Sequence, residues 1–285
     1  MKSMKRAAVM YMLPGLIGTL LFYIIPFIGG LYYAVHSDTF PPQFVGGANF
    51  LDLIGNVMFR SALRNTLKIS LLCAPLAVLL ALLLSCYLSR KVRGGSWIRA
   101  VLLFPYILPT AAVVAIWKVF FGYNSSISSI ISSILGYHID LIQGSMQIIP
   151  TIILYVWRNT GFFTVILVAA MQVIPEELYE YTDVEGATIL QKHIKITIPL
   201  IMPSILIVLL FAWTGSLKVF KEVYALSGGY PSTDMYTLQH FINNHLSKLN
   251  YSVVTSSAYT FTLILLVIFA ILFWFENRSQ ESIGR

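Results

Sequence analysis

The chain has 285 residues, 57% of them hydrophobic and 11% charged, less than half the ~25% charged share of a soluble domain. A mean hydropathy of +0.77 means more apolar surface than a water-soluble globule of this length can hide in one core. The composition therefore defines an integral membrane protein and excludes disordered, collagen-like and disulfide-dense classes. The formal charge of +7 is spread along the chain, which argues against nucleic acid as a partner.

Taken in chain order, stretches free of Asp, Glu, Lys and Arg mark the spans, since a charge at the bilayer centre is costly and a crossing needs about 20 residues. The first, Ala7–Ser37, follows Lys2, Lys5 and Arg6; it is too long for a signal peptide and reads as a retained anchor. The second, Ile69–Ser89, carries Cys73 and Cys86, about 20 Å apart along one helix and so unable to bridge. The third, Ala100–Trp117, is interrupted by Pro105 and Pro109, as the first is by Pro14 and Pro26; the backbone groups freed there need partners.

After the third span, Ile127, Ile130, Ile131, Ile134 and Leu135 follow helical spacing with serines opposite. This predicts a short amphipathic helix, lying on the membrane, on a partner, or as a lid over its own bundle. The fourth span, Ile148–Val173, contains Arg158; the fifth is Ile196–Leu217 and the sixth Leu249–Phe275. The prediction is an all-α membrane protein with six transmembrane helices in a single domain, 1–285. The basic residues before the first span, with Arg90, Lys91, Arg93 and Arg99 before the third, belong in the cytoplasm under the positive-inside rule. Both termini and loop 174–195 then face inward, and 38–62, 122–146 and 223–250 face outward.

The inward loop is the most informative segment. Pro175 suits a helix start, Glu176 and Glu177 complement the N-terminal dipole, and Gly186 supplies a left-handed stop. Thr188 with Gln191 has capping-box spacing for a second helix running to Pro199. Glu176, Glu180 and Asp183 fall on one face. Such an acidic stripe is repelled by an anionic lipid surface and attracted by a basic groove on a cytoplasmic protein, the alternative being a merely solvated face.

Glu180-Tyr181-Thr182, three residues, Gly186, nine residues, then Ile196-Thr197-Ile198-Pro199 resembles the EAA loop of binding-protein-dependent ABC importer permeases, with Tyr181 and Thr182 in place of the alanines. Phe44-Val45-Gly46, Asn65-Thr66, Phe104-Pro105-Tyr106 and Val219-Phe220-Lys221-Glu222-Val223-Tyr224 also look like segments of the carbohydrate-uptake branch, of the maltose-importer first-permease type.

The resemblance implies a type I importer permease bundle in a bacterial or archaeal cytoplasmic membrane, with a coupling helix in loop 174–199 between helices four and five. It also implies the partners: a second homologous permease, two copies of a cytoplasmic ABC ATPase carrying MgATP, and an extracytoplasmic solute-binding protein. Glu180, Asp183, Glu185 and Gly186 become the ATPase-coupling residues. The chain has no G-x-x-x-x-G-K-[ST] phosphate loop and no acid within the six spans, so energy arrives from outside it.

A sugar site needs aromatic faces and neutral hydrogen-bonding groups in a wet cavity. Tyr155, Trp157, Arg158, Asn159, Thr160 and Phe162 supply such a mixture in the fourth span, and Trp213, Ser216 and Lys218 in the fifth. By resemblance, Tyr155, Asn159, Phe162, Gly215 and Ser216 align with cavity-lining positions. Arg158 either meets solute, including an anionic one, or is structural, snorkelling or bonding a backbone carbonyl. Lys218, Lys221 and Glu222 read as an ion-pair group at the outer end. His36, His138, His193, His240 and His245 lack metal-ligand spacing, so no metal is assigned.

The leading expectation is an importer permease for a carbohydrate, most naturally an oligosaccharide, and not an enzyme. Its rivals are a permease for glycerol phosphate or a polyol, a membrane-embedded enzyme, and a receptor or scaffold.

Overall fold

The computed structural model describes residues 2–89, 94–122, 125–136, 141–142 and 145–283. Arg90, Lys91, Arg93 and His138 lie outside the described residues, as does the side chain of Leu135. Among the described residues five helices are long and apolar enough to cross a membrane, six if a bent pair counts as one span. In chain order the helices are α1 (Tyr11–Val35), α2 (Ala48–Gly55), α3 (Val57–Leu88), α4 (Gly95–Ile107), α5 (Thr110–Phe121) and α6 (Ser126–Leu135). They are followed by α7 (Ile148–Met171), α8 (Glu176–Val184), α9 (Ile189–Lys192), α10 (Met202–Ser216), α11 (Phe220–Ser227), α12 (Leu238–Leu246) and α13 (Tyr251–Ile283).

Pro14, Pro75 and Pro105 lie within continuous helices, so the interruptions expected at Pro14 and Pro105 do not occur there; three other prolines mark irregular backbone. Pro26 and Pro199 each lie two residues beyond a π turn, Leu20–Ile24 and His193–Thr197; the widened turn admits a ring that would clash with the preceding turn of a regular helix. Pro109 instead breaks its span. Leu108, restricted by the proline after it, is extended at ψ 139°, Pro109 follows at ψ 135°, and α4 and α5 meet at 94°. The expected third crossing is thus two helices around a sharp corner, a larger departure from straightness than a proline kink.

Two compact units divide the chain: residues 1–60 with 241–265, and residues 61–240 with 266–285. In the first unit, Asp38 ties the start of the last helix to the segment after α1. Its carboxylate accepts the Ser252 backbone N–H and hydroxyl at 2.6–3.1 Å, satisfying donors that a helix N-terminus leaves unpaired. Asn49 donates its amide to the Ala34 and His36 carbonyls, 2.9 Å each. Tyr259 donates its hydroxyl to the Phe27 carbonyl. Facing it, Gly30 is closely packed: a Cβ there would stand 3.3 Å from the Tyr259 hydroxyl, which would have to shift by a few tenths of an ångström.

The second unit holds the larger core. Ile69, Cys73, Ala77 and Ala81 of α3 share it with Phe163, Leu167 and Met171 of α7 and with Val208 and Ala212 of α10. The spacing of the α3 residues by four keeps one stripe inward. Both cysteines are free thiols. A second cluster joins Val113, Val114 and Phe121 of α5 to Leu154 and Leu226, with Ile127 and Ile131 of α6 packed on it. The amphipathic helix therefore covers its own bundle with one edge, and leaves Ile130 and Ile134 exposed.

The closest helix contact is α4 on α7. A Cβ at Gly161 would lie 1.7 Å from the Leu102 carbonyl oxygen, so the absence of a side chain is what lets the backbones approach. One residue on, Phe162 stacks on Tyr106 with centroids 4.5 Å apart and planes 7° off parallel, a favourable arrangement when the rings are offset.

Candidate functional site

Arg158 stands at the break. Its guanidinium donates to the Leu108 carbonyl at 3.2 Å, to the Thr110 hydroxyl at 2.7 Å and to the Glu222 carboxylate at 3.0 Å. The chemistry follows from the corner. Because the Ala112 and Val113 N–H groups turn to the Pro109 carbonyl, the Leu108 carbonyl has no helical donor, and Arg158 supplies one. Both side chains of the ion pair are largely buried, at 17% and 13% exposure, and its charges balance within the chain. The carbonyl bond anticipated for a structural Arg158 is present. Two sequence expectations are corrected: Glu222 pairs with Arg158 rather than with Lys218 or Lys221, and it lies inside the apolar stretch Met202–Ser227, so one acid does sit within a span.

The other candidate solute residues divide into a buried group and a half-exposed group. Tyr155 is buried and donates its hydroxyl to the Ala212 carbonyl at 2.5 Å; a Cβ on Gly215 would sit 3.0 Å from that oxygen, so the glycine makes room for it. Ser216 is fully buried, exchanges a hydrogen bond with Ser70 of α3 at 2.5 Å, and donates to the Trp213 carbonyl. These three residues meet where α7, α10 and α3 converge. Asn159 donates to the Tyr155 carbonyl at 2.7 Å and, with Phe162 and Trp213, remains partly exposed. Trp213 Nε1 is buried with no hydrogen-bond partner among the described residues. Trp157 faces away from this group, into an apolar groove of about 360 Å³ shared with Trp117, Phe120 and Ile153.

Sequence reasoning missed Thr110, Glu222 and Ser70 as members of this network. The signal available for Glu222 was the uncompensated Arg158, which requires an acid nearby. Asn65 and Thr66 gain a physical role: Asn65 donates to the Thr233 and Tyr236 carbonyls, and Thr66 accepts the Leu238 N–H, fixing segment 233–238 to α3. His240, fully buried, accepts the Thr237 N–H on Nδ1 at 3.3 Å and so substitutes for the glutamate of a capping box at the start of α12. Its ring sits among Phe220, Tyr224 and Tyr236, and that burial lowers its pKa to about 4.

The loop between α7 and α10 has the expected helix, glycine turn, helix form. Pro175 precedes the first helical residue, with Glu176 and Glu177 in the first turn. Gly186 is left-handed at φ 73°, and the Gly186 and Ala187 N–H groups reach back to the Asp183 and Thr182 carbonyls, the paired bonds of a Schellman stop. The Thr188–Gln191 capping box is present in both directions. Lys192 pairs with Asp183, so one end of the acidic stripe is neutralised internally. Tyr179 bonds Thr197 at 2.9 Å and clasps the two helices together. Glu185 and Gly186 border an open groove of about 330 Å³. No group of three or more His, Cys, Asp or Glu side chains that could hold a metal occurs among the described residues.

Apolar spans, one of them broken, with a capped polar loop between the fourth and fifth, define a multi-pass membrane protein. Residues 74–283 match the family described as the binding-protein-dependent transport system inner membrane component, and the chain belongs to that family: it is the permease component of an ABC importer. The trehalose/maltose transport system permease protein MalF of Thermococcus litoralis is 30% identical, over 89% of this chain and 88% of that protein. The sn-glycerol-3-phosphate transport system permease protein UgpA of Rhizobium meliloti is 27% identical, over 90% and 88%. The multiple sugar-binding transport system permease protein MsmF of Streptococcus mutans is 26% identical, over 84% of each chain. The same fold occurs in the crystal structure of a bacterial alginate ABC transporter in complex with an alginate pentasaccharide-bound periplasmic protein. That chain has a TM-score of 0.82 and 24% identity, with 95% of this chain and 94% of that chain covered.

Proposed function

We propose that the chain is one half of a heterodimeric pore in the cytoplasmic membrane, both termini inside, that imports a neutral oligosaccharide delivered by an extracytoplasmic binding protein. A second homologous permease completes the pore. Two copies of a cytoplasmic ATPase, which hold the MgATP, supply the energy. Loop 174–199 receives it: Glu180, Asp183, Glu185 and Gly186 seat the short helix in the ATPase cleft, and closure of the ATPase pair on ATP favours the outward-facing state. Solute passes along the fourth and fifth spans, where Asn159, Phe162 and Trp213 offer aromatic faces and neutral polar atoms backed by Tyr155, Gly215 and Ser216.

The single observation that carries the neutral class is the internal balance of Arg158 by Glu222 at 3.0 Å. A guanidinium already holding a carboxylate, a hydroxyl and a carbonyl has little field left for an anionic solute. The glycerol-phosphate reading draws on the resemblance to UgpA and would require a cation from elsewhere in the pore. The test is uptake into vesicles containing the whole importer, with a panel of neutral di- and oligosaccharides against glycerol 3-phosphate. The proposal expects ATP-dependent uptake of a neutral sugar that an excess of the phosphate ester does not inhibit; uptake of the ester alone refutes it.

A further inference from the structure

We propose that Glu222 and Thr110 are positioning residues for translocation: they hold the Arg158 guanidinium against the Leu108 carbonyl and so set the angle at which the third span breaks. The consequence for transport rests on the solute path proposed above.

Proline at position 109 explains why a helix must end there but not why its successor departs at 94°, because extended residues permit a range of directions. The direction is fixed by side chains from two other helices. Arg158 of α7 reaches the last residue before the break, Leu108, and the first residue after it, Thr110, with one planar group. A guanidinium presents its donors in a rigid fork, so bonding both sides of the corner constrains the corner itself. Glu222 of α11 completes the arrangement by accepting from the same Nη1 that serves Thr110; without it an unbalanced charge would draw water into the membrane interior.

The same stretch of α7 carries Asn159 and Phe162 of the proposed solute path. Gly161 admits the Leu102 carbonyl and Phe162 stacks on Tyr106, so α4 runs along α7 from the corner past Asn159 and Phe162. Loosening the corner releases the end of α4 that bears Tyr106, and the aromatic face of Phe162 loses its backing. Glu222 and Thr110 thereby act on solute through Arg158 and Tyr106 without touching it.

The experiment reads the corner directly. In the reconstituted importer with Cys73→Ala and Cys86→Ala, spin labels are placed at Ile107→Cys and Val119→Cys, both on exposed side chains, and the distance distribution is measured beside the sugar dependence of uptake. The expected result is a narrow distribution in the parent that broadens in Glu222→Gln, with a KM for uptake raised about tenfold. Thr110→Val, which keeps the ion pair, should shift both in the same direction by less.

The exchange Arg158→Glu with Glu222→Arg restores a salt bridge but leaves Leu108 without a donor. It should stay broad, whereas a merely structural ion pair would be rescued. A parent-like distribution in Glu222→Gln, or recovery of both readouts in the exchanged pair, overturns the proposal. A corner that loosens while the KM stays at the parent value leaves the geometry standing and refutes the solute path along α7.

Discussion

Gly161→Ala should damage this protein more than any other glycine-to-alanine change in the second unit. The new Cβ would lie 1.7 Å from the Leu102 oxygen, 2.4 Å from its carbonyl carbon and 3.2 Å from its Cα, all backbone atoms that no rotamer change can remove. Relief requires α4 to retreat from α7 by more than an ångström, which also separates Phe162 from Tyr106 and draws Leu108 away from Arg158. Overpacking of this kind costs about 1–3 kcal/mol when side chains can adjust and more when they cannot, so about 3 kcal/mol is expected, roughly a hundredfold in the folding equilibrium. The assay is thermal unfolding of the purified permease in one detergent, with Gly215→Ala as the control. At Gly215 the nearest obstacle is the Tyr155 hydroxyl at 3.0 Å, the tip of a side chain that can shift a little, and a much smaller loss is expected. Equal midpoints for Gly161→Ala and the parent would refute the close approach of α4 to α7.

In the coupling loop, Gly186→Ala places a methyl group in open space but forces a left-handed residue worth about 1–2 kcal/mol of strain; uptake should fall partly at unchanged membrane levels, and Gly186→Pro, which cannot take a positive φ, should abolish it. Tyr155→Phe removes the hydroxyl bond to the Ala212 carbonyl and should lower stability by about 1 kcal/mol, read as a small drop in the detergent unfolding midpoint. His240 is held neutral in the folded chain with its pKa lowered from 6.5 to about 4. The unfolded chain therefore binds the proton first, and stability, complete above pH 6.5, should decline as the pH falls from 6.5 toward 4, by up to about 3 kcal/mol; His240→Gln should flatten that part of the pH profile.

Loop 174–199 was legible nearly residue by residue because its signals are local. A helix-starting proline, two acids in the first turn, a left-handed glycine and a capping box each act within four residues, and all four occupy the expected places. The number of spans was legible as well, since charge exclusion from hydrocarbon depends on composition alone; their bounds were not, the second beginning at Val57 and the fifth running Met202–Ser227 around Glu222. The corner at Leu108 was only half visible: Pro109 announced a fault, but the 94° turn depends on Arg158 and Glu222, which are 50 and 114 positions downstream of Leu108 in the sequence. The burial of Tyr155 and Ser216 was hidden for the same reason. A tyrosine and a serine on an apolar helix read alike whether they face a cavity or a neighbouring helix, and only the Ala212 carbonyl and Ser70 decide between them.

The most direct test of the account is to purify the tagged chain from its native membrane in mild detergent and to identify, with stoichiometry, everything that stays bound. The account predicts a second six-span permease in one copy and an ABC ATPase in two, with ATP hydrolysis by that complex lowered when Glu180 is replaced and abolished by Gly186→Pro. Recovery of the intact chain alone, in detergents that preserve other membrane complexes, would contradict it.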